Sequence, residues 1–362
     1  MCCVTGRSEI TQQGIPEDKP STTAGGDWRR ILPGLIVSLL ALVAVLYLAD
    51  FRRLMEALRL ADYTLALLGV LISLLWLVVR GFAWRALMQQ GASYSEVFLT
   101  LNEGYLINNL LPLRLGEIAR AYLLSRKSTL SFWQVLSSIL IERAMDIALA
   151  VGVLLVSLPF VVGASLARQA ALGAGLLVVV VFAALYLLAR FRAQALRGFQ
   201  RLGSQVPLLL RLGGKAAPAF FDGLAVLTNA SAFWRASGWM LLNWGIAILQ
   251  YYLMLAAFVQ APGLILATFS LGVSALGVAA PSSPGAVGVM ELSVVGALSL
   301  FNLDVSTALA FAFTLHFIQY LTTGAIGGYA LFRDGETLTS LYRRVRRLRD
   351  EPRSNVDETN RG

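Results

Sequence analysis

Cysteine is almost missing from this chain: Cys2 and Cys3 stand together in a polar leader, and none follows in the rest of the 362 residues. That excludes a disulfide framework and a thiolate metal site. A single histidine excludes a histidine-built metal centre as well. Charge is scarce too, at 14% of residues, against about 25% in an ordinary soluble domain. No Walker-type glycine loop or other nucleotide motif is present, and no DxD-like carboxylate pair stands on a loop. No cofactor, no metal and no use of ATP are therefore expected.

What the chain has in abundance is apolar length. Hydrophobic residues make up 57% and the mean hydropathy is +0.68, a balance that a soluble globular domain does not show. The expected fold is all-α, a polytopic helical membrane protein with about eight spans. Residues 1–28 lack apolar periodicity and read as a disordered leader. The hydrophobic body is 29–332, and 333–362 is a basic tail with a run from Arg343 to Arg349. Apolar segments near 31–49, 64–82, 134–158, 170–189, 237–259, 264–280, 286–301 and 307–332 are the candidate spans. Arg80, Trp84 and Arg85 read as an interfacial close to the second of these. Residues 190–235 break the rhythm with Arg190, Arg192, Arg197, Arg201, Arg211, Lys215 and Arg235 among apolar residues. That pattern suits an amphipathic segment on anionic headgroups and not nucleic acid, since it is pinned between two spans. Lys and Arg concentrate in the leader, this segment and the tail, so the positive-inside rule makes all three cytoplasmic.

Two stretches put polar groups where a membrane protein should have few. The first is 97–127. Its apolar part, 97–111, is too short to cross ~30 Å of hydrocarbon and ends at Pro112. Asn102, Tyr105 and Asn109 share one helical face, and Arg114, Gly116, Glu117 and Arg120 follow at once. The pattern predicts a re-entrant hairpin entering from the cytoplasm; letting 97–111 cross would export Arg114, Arg120, Arg126 and Lys127. Directly after it, Ser138, Glu142 and Asp146 stand at helical spacing inside a long span, with Arg143 beside Glu142. Unpaired charges there cost a few kcal/mol each, so Arg114 and Arg120 are their expected partners.

The second stretch is Pro281 to Ser293. Pro284 after Ser283 predicts a helix start, and Gly285 and Gly288 let another group approach the backbone. A helix N-terminus at depth is an anion site, and short broken helices recur at transporter sites. Glu291 lies further in and would face Arg114, Arg120 or Arg143 if the two stretches pack together. His316, Gln319, Tyr320 and Thr323 share a face of the last span, and the histidine reads as a hydrogen-bonded packing residue ahead of a proton relay.

Three ordered patterns carry a resemblance: Asn102 through Asn109, Pro112, Arg114, Gly116, Glu117 and Arg120; then Ser138, Glu142, Arg143 and Asp146; then Pro281, Pro284, Gly285, Gly288 and Glu291. Together they resemble the lysylphosphatidylglycerol synthase transmembrane-region family, also described as flippase-like integral membrane proteins, over roughly Trp28 to Phe332. The resemblance implies a plasma (inner) membrane protein that moves lipids such as aminoacylated phospholipids or lipid-linked sugars between leaflets. Larger members carry a soluble aminoacyl-tRNA-dependent transferase domain after the membrane part. Only the tail follows Phe332 here, so lysyl transfer is not expected of this chain, and a separate lipid-modifying enzyme becomes a candidate partner.

The expected function is non-enzymatic binding and translocation of a phospholipid or polyprenyl-linked substrate. Asn102, Asn109, Arg114, Glu117, Arg120, Glu142, Arg143, Asp146, Pro284, Gly285, Gly288 and Glu291 are the candidate substrate-binding residues, with membrane lipids, anionic or aminoacylated, as partners. The competing reading is an integral membrane transferase acting on a lipid-linked donor, with Glu142 or Asp146 as general base.

Overall fold

The computed structural model describes residues 28–89, 91–111, 114–162, 164–205, 217–279 and 283–335. The leader, the run from Arg343 to Arg349, Arg211, Lys215, Pro112 and Pro281 lie outside the described residues. Every described element is a helix, with no strand among them. Five helices are long and apolar enough to cross a membrane: within α3 (Tyr63–Leu87), α6 (Phe132–Ser157, continued by α7, Pro159–Val162), α8 (Ala164–Arg190), α11 (Ala230–Ala256) and α14 (Val305–Arg333). A further apolar helix, α1 (Trp28–Leu48), has 21 residues, about 31 Å at 1.5 Å per residue. The remaining elements are α2 (Phe51–Leu60), α4 (Tyr94–Leu110), α5 (Leu115–Lys127), α9 (Arg192–Gln205), α10 (Ala217–Gly223), α12 (Leu264–Ala279) and α13 (Val289–Ser299).

Local chemistry starts these helices where the chain bends. Asp50, Asp62, Asn229 and Asp304 each accept backbone N–H bonds at an N-cap. Ser93 with Glu96 and Ser131 with Gln134 form reciprocal capping boxes at α4 and α6. Outward faces are then apolar: on α8, Leu172, Leu176 and Val179 are 69%, 65% and 63% exposed. In water that would be an aggregation surface, whereas in hydrocarbon it is solvated.

All eight apolar segments anticipated as spans are helical, but two of them pair into a hairpin. Helices α12 and α13 have 16 and 11 residues, about 24 and 16 Å, and pack on each other. The first hairpin is built alike, from α4 with 17 residues and α5 with 13. All four arms are shorter than the ~30 Å hydrocarbon core. Close approach of α4 and α5 rests on glycine: a Cβ at Gly116 would press on the Gly104 carbonyl and Asn108. Asn108 Oδ1 also accepts the Gly116 N–H at 2.8 Å, satisfying the first turn of α5.

The hairpins have their bases at opposite ends of the bundle. At one end Asp62 N–H donates to the Ala257 carbonyl at 2.8 Å, Asp50 N–H to Ser306 Oγ at 3.0 Å, and Arg53 pairs with Asp304 at 3.5 Å. The base of α12/α13 lies in that group. At the other end Lys127, closing α5, bridges Glu103 at 3.0 Å and Asp334 beyond α14. The tips therefore point toward each other, and Arg114 Nη1 at the first tip donates to the Ala279 carbonyl at the second, at 3.1 Å.

Within 190–235, α9 is largely exposed, whereas 217–227 folds inward. Leu224, Val226 and Leu227 are buried in a cluster with Ile141, Met145 and Met240. That part packs on protein rather than lying on headgroups.

Candidate functional site

A cavity of about 400 Å³ lies where the two tips meet, walled by α3, α6, α11 and α14. Its polar lining includes Arg80, Arg114, Glu117, Arg143, Asp146 and His316. Behind this wall stands an ion-pair network centred on Glu142, which is fully buried. Arg80 pairs with Glu142, and Arg120 Nη2 reaches Glu142 Oε2 at 2.8 Å. Arg80 also forks onto Asp146, Nη1 to Oδ1 at 2.8 Å and Nη2 to Oδ2 at 2.5 Å. Such a planar two-point bond is what a guanidinium makes and a lysine cannot. Trp244 Nε1 donates to Asp146 Oδ1 at 3.2 Å, and Asn243 Oδ1 accepts from Arg80 at 3.4 Å. The Arg120 guanidinium lies 3.9 Å over the Trp84 ring, whose Nε1–H donates to Ser138 Oγ at 3.1 Å.

Nearer the cavity, Glu117 lies 3.6 Å from Arg114 and 3.4 Å from Arg143, and Arg143 lies 3.5 Å from Asp146. These groups are partly exposed, Arg114 at 33% and Arg143 at 26% of the side chain. Arg80, Arg114, Arg120 and Arg143 thus meet Glu117, Glu142 and Asp146. The arginines outnumber the carboxylates by one, so the network carries a net positive charge.

Several sequence-based expectations change here. Arg114 does not reach Glu142; it joins Glu117 and the second tip. Glu291 meets none of the arginines anticipated for it. Its Oε1 lies 2.6 Å from His316 Nδ1, and its Oε2 accepts the Gly288 N–H at 2.7 Å. The anticipated helix start at Pro284 is a three-residue 3₁₀ turn, Pro284–Ala286. Helix α13 begins at Val289, and Glu291 already caps it, so that terminus is not the open anion site expected from its Pro/Gly pattern. Pro284 is not among the cavity-lining residues, and Gly288 packs beneath the Ser38 carbonyl of α1. Gly285 does line the cavity, with φ +63 and no room for a Cβ against the Tyr320 hydroxyl. Asn109 lines it too and donates to Thr323 Oγ1 at 3.1 Å, whereas Asn102 is buried and donates to the Phe98 carbonyl within its own helix.

Arg80 and Trp84, read from sequence as an interfacial anchor, are 3% and 0% exposed and belong to the network. Arg80 stands about 10 Å short of the end of α3. An arginine that far inside an apolar run, on a helix already carrying Arg85, was the signal available.

Residues 31–327 match the family described as the lysylphosphatidylglycerol synthase TM region. The chain belongs to that family. It is similar to a UPF0104 membrane protein of Methanothermobacter thermautotrophicus, 25% identical across 80% of this chain and 90% of the relative. A UPF0104 membrane protein of Methanocaldococcus jannaschii is 26% identical over 63% of this chain and 95% of its own length. The protein named glycosyltransferase AglD of Haloferax volcanii is 24% identical over 90% of this chain, which spans 58% of that relative. No solved structure matches.

Proposed function

We propose that this member of the lysylphosphatidylglycerol synthase TM-region family binds an anionic lipid headgroup and carries the lipid between leaflets, in a plasma membrane, with both termini cytoplasmic. The observation that carries the reading is the net-positive cavity held between two short hairpins rooted at opposite ends of the bundle. Short broken helices meeting at mid-depth are the recurrent build of a transporter site, because one tip can move while the other holds. In this topology α1, α3, α6, α8, α11 and α14 cross, and both hairpins are re-entrant. The volume suits a headgroup and not a whole lipid, so acyl chains stay in hydrocarbon. Arg114 and Arg143 are the exposed cations. Arg80 also lines the cavity, and its Nε–H has no acceptor among the described residues. An entering phosphate diester would balance the excess charge and replace its lost hydration with guanidinium bonds.

The test is the purified chain in vesicles of phosphatidylethanolamine and phosphatidylglycerol carrying a trace of fluorescent phosphatidylglycerol. Chemical quenching from outside reads how fast lipid reaches the outer leaflet. Faster exchange than in protein-free vesicles, lost in Arg114→Gln while the protein stays folded, is the expected result. Exchange no faster than without protein overturns the reading. A chemically altered lipid on mass spectrometry would instead establish the transferase suggested by the name of the Haloferax relative.

A further inference from the structure

His316 is the chain's only histidine, and its ring is held between two acceptors. Nδ1 lies 2.6 Å from Glu291 Oε1, and Nε2 lies 3.0 Å from the Gly285 carbonyl oxygen. A neutral imidazole has one N–H and could satisfy only one of them; the other nitrogen would set a lone pair against an oxygen lone pair. Both contacts are made when both nitrogens carry hydrogen. The alternative, a protonated Glu291 donating to Nδ1, is disfavoured because Glu291 Oε2 also accepts the Gly288 N–H at 2.7 Å, a bond that favours the carboxylate. The pair is almost fully buried, at 8% and 2% side-chain exposure, yet His316 lines the cavity, which gives the proton a route out. His316 lies about 17 Å along α14, near mid-depth.

We infer that His316 and Glu291 form a proton-binding site that locks the tip of the second hairpin, so that lipid passage is coupled to proton movement. With the proton bound, the Nε2–H holds Gly285 while Glu291 holds Gly288, and the tip is pinned at both ends of its turn. When the proton leaves Nε2 for cavity water, Nδ1–H stays on the Glu291 carboxylate and the Nε2 lone pair is set against the Gly285 carbonyl oxygen. Gly285, with its left-handed φ and its packing on Tyr320, is the part of the tip that loses its anchor. Among the described residues, the titratable groups touching the pair are each other and Tyr320, whose ring stacks edge-on at 4.8 Å from His316. Across the cavity the charged groups are Arg80, Arg114, Glu117, Arg143 and Asp146. An anionic headgroup arriving among those arginines would lower the local positive potential and favour proton binding, which supplies the coupling.

The coupling rests on the lipid-moving reading above; the proton site does not. The full chain, labelled with ¹⁵N-histidine and carrying a purification tag free of histidine, offers one pair of ring signals. At neutral pH both nitrogens should carry hydrogen in the native chain and only one in Glu291→Gln. A single neutral tautomer in the native protein overturns the proton site. In vesicles, an imposed gradient should shift the leaflet ratio of fluorescent phosphatidylglycerol by up to about tenfold per pH unit for one proton per lipid. The shift should vanish in His316→Gln, or in Glu291→Gln should the first variant not fold. An equal response in native and variant protein, or none in the native protein while lipid still moves, overturns the coupling but leaves translocation standing. Should no lipid move at all, translocation fails and the ring-nitrogen spectra alone decide the proton site.

Discussion

Single residues divide sharply by how far they are from water. Arg80 is buried and bonded to Glu142, Asp146 and Asn243; Arg143 touches the same acids from a side chain that is a quarter exposed. Removing one partner of a buried pair strands the other charge at about 3–5 kcal/mol, whereas a screened pair is worth about 0–1 kcal/mol. Arg80→Gln should therefore lower the yield of monodisperse protein and its unfolding temperature in detergent far more than Arg143→Gln does. Equal loss in both would mean that Arg80 is wetter than its surroundings suggest. The same arrangement limits charge exchange. Swapping Arg120 and Glu142 would set the new arginine against Arg80, so the double variant should remain as unstable as Arg120→Glu alone, read by the same melting curves.

At the level of elements, the hairpins depend on backbone proximity more than on apolar area. Gly116 faces the Gly104 carbonyl across the α4/α5 contact, and the methyl of an alanine there has no free space. Gly152 on α6 meets nothing within 4 Å. Gly116→Ala should cost about 1–3 kcal/mol through overpacking and backbone shift, while Gly152→Ala should be neutral or slightly stabilising, because alanine is the better helix former. Thermal melts of the two single variants in one detergent compare them directly, and an unharmed Gly116→Ala would show that the arms can separate freely. The capping boxes at Ser93 and Ser131 and the acidic caps at Asp50, Asp62 and Asp304 are local, each closing within three residues of chain. That α12 and α13 fold against each other was not legible in the sequence, since a short apolar helix reads alike whether it pairs with its neighbour or crosses.

For the molecule as a whole, the ends of the bundle make topology testable. The group around Asp50, Asp62 and Asp304 should face outward, and the group around Lys127 and Asp334 should face the cytoplasm. A cysteine replacing Thr64 should react with a membrane-impermeant maleimide on intact cells, and one replacing Ser340 should react only after lysis. Labelling in the opposite sense would invert the whole arrangement, hairpins included. In the proposed orientation the basic residues Arg52, Arg53 and Arg59 would stand on the outer side, against the positive-inside rule. The structure accounts for Arg53, which sits near Asp50 and Asp304 at 3.8 and 3.5 Å.

Class, membrane residence and the two polar stretches followed from the sequence alone, because hydropathy and helical period act along the chain and need no partner to be read. The first hairpin was legible for the same reason: Pro112 and the arginines after it interrupt an apolar run too short to cross. Partner choice was decided only in three dimensions. Arg80 looked like a snorkelling end until α6 and α11 were placed beside it, and Glu291 looked like a mate for the first hairpin until His316 stood closer. A buried charge takes the nearest partner of opposite sign or matching hydrogen-bond geometry, and nearness between α3 and α6, or between α13 and α14, is a property of packing that no spacing along the chain encodes.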